Sequence, residues 1–187
     1  MARDDIARSL REAMAPALQR YEKVRATAHS LATRDVALLI VRICLAWIFV
    51  YHGASTLFGA FGGAGIHGEA VYFAHVAHLR PGTFFAVLGG IIECFGGAAV
   101  GLGVFGRLAA AGLVGDMVMA MITVTFSQGL VGDASGIGYQ LNLALVGLAF
   151  VVALMGTGRL SLDYAIRTWF AKSRATRAPA PLTTATS

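Results

Sequence analysis

Charge is scarce in this chain. Only 13% of its 187 residues are Asp, Glu, Lys or Arg, while 57% are hydrophobic. Soluble domains carry about 25% charge, so this composition, with a mean hydropathy of +0.69, excludes an ordinary soluble globule. Cysteine is almost missing as well. Cys44 and Cys94 lie far apart with no CxxC spacing, which excludes a disulfide framework and the usual thiolate metal motifs. Both are expected to be small buried thiols at a similar membrane depth. A secretory leader is also lacking: the first 30 residues are polar and charged, and the first apolar run is too long for a signal segment, so it is expected to remain as a span. No recognisable motif binds haem, flavin or an iron–sulfur cluster.

What is present instead is four long apolar runs, 36–58, 83–105, 108–126 and 139–156. At 1.5 Å rise per residue each crosses, or nearly crosses, a hydrocarbon core of roughly 30 Å. The fold class expected is all-α: a four-helix transmembrane bundle over 36–156. An N-terminal amphipathic helix (1–35) precedes it. A short C-terminal interfacial helix (157–174) and a disordered tail (175–187) follow.

The distribution of basic residues sets the orientation. Arg3, Arg8, Arg11, Arg20, Lys23, Arg25 and Arg34 precede the first run, and Arg159, Arg167, Lys172, Arg174 and Arg177 follow the last. Arg107 sits in the short turn between the second and third runs, and the two remaining loops hold only Arg80. The positive-inside rule then places both termini and Arg107 in the cytoplasm. The net charge of +5 is accounted for by topology and by anionic lipid, a membrane-lipid partner in place of nucleic acid.

In the arm, Ile6, Leu10, Met14, Leu18, Tyr21, Val24 and Leu31 recur at steps of three and four, the spacing of a surface helix that Pro16 should kink or divide. Solvated helix, lipid anchor and partner-docking strip are all compatible with it. Beyond the last run, Gly156 and Gly158 break the helix and Ser161 is a good N-cap for a new one over Leu162–Lys172. Span 2 carries Gly89, Gly90, Gly96, Gly97, Gly101 and Gly103, and span 3 adds Gly112 and Gly115. Small residues let helices approach closely in lipid, and exposed glycine faces also suit a homodimer. His67, His75 and His78 cluster in the first loop. No carboxylate or thiolate completes a metal-binding pattern with them, so no metal is assigned.

Three of the runs hold one ionisable residue each: Arg42, Glu93 and Asp116. A charge at such a position costs at least ~2.5 kcal/mol on insertion scales, so it is normally paired or used. Counting along the helices places Arg42 roughly 9 Å, Asp116 roughly 12 Å and Glu93 roughly 15–18 Å from the cytoplasmic boundary. An Arg42–Glu93/Asp116 network in the bundle core is therefore expected. It is either a structural pair that offsets the cost of burial or a proton-handling or substrate-binding site. Burial and a neighbouring guanidinium act on a carboxyl in opposite senses, which suits reversible protonation. Tyr51 and His52 lie near the far end of span 1. Tyr51 suits an aromatic belt, while His52 suits a hydrogen bond to a quinone carbonyl or a proton relay.

Several stretches together resemble the DoxX family. They are Leu39-Ile40-Val41-Arg42 leading to Tyr51-His52-Gly53 and Leu57-Phe58-Gly59, then Leu88 to Gly97, then Gly103 to Ala109, and finally Gly156-Thr157-Gly158-Arg159-Leu160-Ser161-Leu162-Asp163. The resemblance covers roughly 36–165. It implies a four-helix bundle in the bacterial cytoplasmic (inner) membrane, related to small membrane subunits of thiosulfate:quinone oxidoreductase. It also implies partners such as superoxide dismutase and a sulfurtransferase in redox defence. Arg42, His52 and Glu93 carry over by matching motif. The chain departs from the family at Thr56, where many relatives have Lys, at Thr125, where many have His, and at Gln140, where an acidic residue is common. These departures remove ionisable groups from one end of the bundle and weaken any direct transfer of activity.

The function expected is a membrane component of a quinone-linked redox or oxidative-stress system, with quinone as its non-covalent ligand. Glu93, Arg42 and Asp116 are its candidate catalytic residues, and His52 and Tyr51 its candidate quinone contacts. The rival is a non-catalytic scaffold that recruits soluble redox enzymes. A small transporter stands third, because no inverted repeat is apparent.

Overall fold

The computed structural model describes residues 2–133 and 136–175. The expected tail over 175–187 falls, beyond Ala175, outside the described residues. Met1–Ala37 and Leu38–Ser187 form two compact units.

Helix α1 runs Ala2–Phe58 and is unbroken at Pro16, where the sequence suggests a kink or division. Within the first unit Met14, Leu18, Tyr21 and Leu31 are exposed. In the second unit α1 is followed by α2 (Gly65–His75), where the sequence shows only a short apolar stretch. Next comes α3 (Gly82–Leu102), α4 (Gly106–Gln128) and α5 (Gln140–Met155), and α6 (Leu162–Ala175) closes the described chain. A two-residue antiparallel ladder, Gly132–Asp133 with Gly136–Ile137, lies between α4 and α5.

Three segments are long and apolar enough to cross a membrane: Met14–Phe58, Gly82–Leu102 and Gly106–Gln128. The fourth, α5, has 16 residues and is about 24 Å long, short of the ~30 Å hydrocarbon core. Its apolar face is nevertheless buried. Leu145, Ala149 and Val152 join Leu113 and Met117 of α4, Leu45 and Phe49 of α1 and Val100 of α3 in one core cluster.

Glycine determines how closely α1 and α3 pack. A Cβ on Gly97 would lie 2.8 Å from Phe49 Cβ, and one on Gly101 would lie 2.7 Å from Ala46 Cβ. A Cβ on Gly53 would run into the backbone nitrogen of Cys94. These pairings fix an antiparallel register over about two turns, with helix backbones closer than any side chain would permit.

Arg42 locks one end of that register. It is 1% exposed, and its guanidinium donates to four backbone carbonyls. Nε bonds Val100 O at 2.8 Å and Nη2 bonds Gly101 O at 2.6 Å, while Nη1 bonds Thr157 O at 2.8 Å and Leu160 O at 2.7 Å. The first two acceptors exist because α3 ends there. Gly103 takes φ +71°, and the Val104 and Gly103 N–H groups turn back to Ala99 and Val100 in a Schellman closure. The last-turn carbonyls then have no full complement of helical donors, and Arg42 supplies them. The other two acceptors belong to the turn between α5 and α6. That turn is held by Ser161, whose Oγ accepts from Tyr164 N–H at 3.3 Å and donates to Gly158 O at 2.8 Å. The expected N-cap is thus in place, and Asp163 N–H donates to Gly103 O at 3.0 Å.

Two substitution tests follow from this packing. Arg42→Leu strands buried carbonyls on two segments and is expected to cost roughly 3–5 kcal/mol. Arg42→Lys should recover only part, because an ammonium is a compact donor that cannot reach both acceptor pairs as a planar fork does. Thermal unfolding in detergent, followed by tryptophan fluorescence, measures both; an unchanged midpoint for Arg42→Leu would refute the clamp. Gly53→Ala should lower the midpoint through the backbone clash with Cys94. Gly147→Ala, where a Cβ meets nothing within 4 Å, should be neutral or raise it by up to about 1 kcal/mol of helix propensity.

Candidate functional site

At the other end of the bundle from Arg42, four helices enclose a cavity of about 300 Å³. His52 and Thr56 reach it from α1, Glu69 and Phe73 from α2, Glu93 from α3 and Asp116 from α4. Phe85, Leu88, Met117 and Met119 complete apolar walls. The volume sits at the small end of ligand pockets, enough for one ring-sized group.

Local backbone chemistry aims the two intramembrane carboxyls. Gly89 lies one turn before Glu93, and a Cβ there would stand 3.5 Å from Asp116 Oδ1. That is ordinary contact distance, and it puts Asp116 against the face of α3 that also carries Glu93. Within α3, residues Ile92–Gly96 form a π-helical turn, which inserts one residue and resets the facing of those around it. Such insertions are frequent at functional sites. A second π turn, Met121–Thr125, ends the regular part of α4.

The expected Arg42–Glu93/Asp116 network is not formed. Four of the guanidinium hydrogen bonds go to main-chain carbonyls, and Arg42 lies ten residues before His52, roughly 15 Å along α1. The physical reason is that the truncated end of α3 and the α5–α6 turn present several acceptors at once. A planar, five-donor group satisfies them better than a single carboxylate pair would. The one acidic group whose charge bears on Arg42 is Asp163, in the first turn of α6. The depth count brought the three ionisable residues to neighbouring levels but could not assign them to faces.

Glu93 and Asp116 are therefore not balanced by a cation. The charges that act on Glu93 are the like charges of Asp116 and Glu69, and no described hydrogen bond ties up either intramembrane carboxyl. Carboxyls held in one low-dielectric space titrate as a coupled set. With His52 at the rim, the arrangement suits reversible uptake and release of a proton near a bound ligand.

Sequence reasoning missed Glu69. The available signal was that it is the sole acidic residue between Asp35 and Glu93, but only the folding of α2 over the cavity brings it to the intramembrane acids. Tyr51 stays outside the lining. Its ring stacks on Phe61 at 4.6 Å between centroids and meets His52 edge-on at 5.9 Å, so its contact with the lining is through His52.

Of the three positions where the chain departs from the expected pattern, only Thr56 lines the cavity. Thr125 sits in the second π turn with its hydroxyl buried and without a partner, and Gln140 opens α5. Cys44 and Cys94 are both free thiols. Among the described residues no group of three or more His, Cys, Asp or Glu side chains converges to hold a metal ion, and His67, His75 and His78 are exposed.

No curated protein and no solved structure matches the chain. The DoxX family model matches residues 37–126, which take in α1 from Ala37, the cavity and its carboxyls, and α4 as far as Phe126. Residues 37–126 thus carry a DoxX domain, and the chain is a multi-pass membrane protein.

Proposed function

We propose that this protein is the membrane component of a redox system and that its cavity holds the head group of a quinone or a similar small apolar redox partner. One observation carries the reading: three spans and the α2 cap place His52, Glu93, Asp116 and Glu69 around one ring-sized space with hydrocarbon and aromatic walls. His52 would donate a hydrogen bond to a ring carbonyl, and Glu93 with Asp116 would take up and return protons. Arg42 acts as a positioning residue, because it fixes α1 against α3 and so sets where His52 and Glu93 stand. Electrons would come from substrate or from a partner, with superoxide dismutase and a sulfurtransferase as candidate soluble enzymes.

In this reading α5 is a fourth, short span, and both termini face the cytoplasm of a bacterial inner membrane, following the basic flanks. A scaffold reading is favoured by one separate observation. Helix α6 exposes Ile166, Trp169 and Phe170 beside Arg167, Lys172 and Arg174, the composition of a surface that meets anionic lipid or a partner protein.

Native mass spectrometry of protein released from its own membranes in mild detergent separates the two readings. A quinone-mass adduct that is lost in Glu93→Gln and His52→Ala is the expected result. Co-purification of soluble enzymes with no adduct would transfer the assignment to the scaffold.

A further inference from the structure

The cavity has a charge pattern that a neutral ring does not use. Its ionisable lining is Glu69 from α2, Glu93 from α3, Asp116 from α4 and His52 from α1, with no Lys or Arg among the lining residues. Arg42, the buried cation of the described residues, is committed to carbonyls at the opposite end. A neutral quinone ring makes use of at most one or two of these acids, and an anion would be repelled by them once they ionise. A cation with an apolar body meets every part of the lining at once. Its charge pairs with a carboxylate, its hydrocarbon fits against Leu88 and Met119, and Phe73 and Phe85 supply aromatic rings to the lining, a residue type that attracts cations.

We propose that this cavity binds a lipophilic cation, such as a protonated hydrophobic amine or a quaternary onium ion, in exchange for a proton. The cation enters past Glu69, which α2 holds outside the spans, and settles between Glu93 and Asp116. One proton leaves the coupled carboxyls as the cation arrives, so charge in the membrane interior stays balanced. The proposal rests on the cavity being open to ligands, as the redox reading does, but not on quinone being one of them.

The full chain in nanodiscs of zwitterionic phosphatidylcholine, with tetraphenylphosphonium as the probe, tests this by equilibrium dialysis between pH 6 and pH 8. The expected result is saturable binding above empty nanodiscs, at one site per chain. Affinity should rise toward high pH by up to about tenfold per pH unit where one proton is displaced. In lightly buffered solution, protons should be released on binding. The pair Glu93→Gln and Asp116→Asn should weaken binding at least about tenfold and flatten the pH dependence, while Glu69→Gln should weaken it and leave a slope. Because the pH dependence and proton release are read on the unaltered chain, misfolding of a variant does not remove the test. Binding no greater than to empty nanodiscs, or saturable binding indifferent to pH, overturns the proposal. Saturable cation binding in protein that shows no quinone adduct would remove the redox reading alone.

Discussion

A single buried guanidinium organises one end of this membrane bundle. Arg42 is held among carbonyls contributed by two segments that are distant in sequence, the end of α3 and the turn before α6. An arginine in hydrocarbon is costly, and the protein offsets that cost with partial negative charges, the unsatisfied carbonyls of a helix terminus. Both sides of the contact need the other: without Arg42 the carbonyls are stranded, and without the Gly103 turn they would not point at it. A Cβ on Gly103 would itself lie 2.6 Å from Arg42 Nη2, so the glycine is required for its positive φ and for its lack of a side chain.

This solution leaves the acids at the opposite end uncompensated. Had Arg42 paired with Glu93, the carboxyl would be a structural partner and the cavity an incidental gap. Because the cation is engaged elsewhere, Glu93 and Asp116 line a small space together with Glu69 and His52. The two ends thus differ: one fixes the register of α1 against α3, and the other gathers acidic groups around a cavity. The close glycine contacts between α1 and α3, from Gly101 to Gly53, transmit that register along the helices. The π turn at Ile92–Gly96 then sets how Glu93 presents itself at the cavity.

Much of the architecture was legible in the chain. Apolar run length gave the end of the first span and both ends of the next two to within a few residues, because crossing hydrocarbon requires a helix of a fixed length. Ser161 was legible as a cap because capping is local chemistry. The glycines of α3 were legible as a packing seam because small residues have no other strong reason to recur in a span. The fourth run was legible as well, since α5 falls within one residue of it at each end, though its 16 residues only nearly cross the hydrocarbon core. The sequence also suggested a kink or division of the arm at Pro16, which lies inside an unbroken α1. Glu69 and the α2 cap were invisible, since a short helix with no fully buried residue is specified by the surface it covers and not by its own pattern.

By itself the sequence determined that this is a helical membrane protein with a DoxX domain, and which residues carry charge into its apolar helices. Those properties depend on composition, run length and rise per residue, which are local. Which charge meets which partner was decided only in three dimensions. A helix fixes the height of a side chain from its position in the chain, but its facing depends on the packing angle against neighbours and on single-residue insertions such as the π turn. Arg42 and Glu93 stand at neighbouring computed levels, yet they serve opposite ends of the bundle. The acceptors that claim Arg42 are backbone carbonyls, which every residue has and no sequence pattern marks.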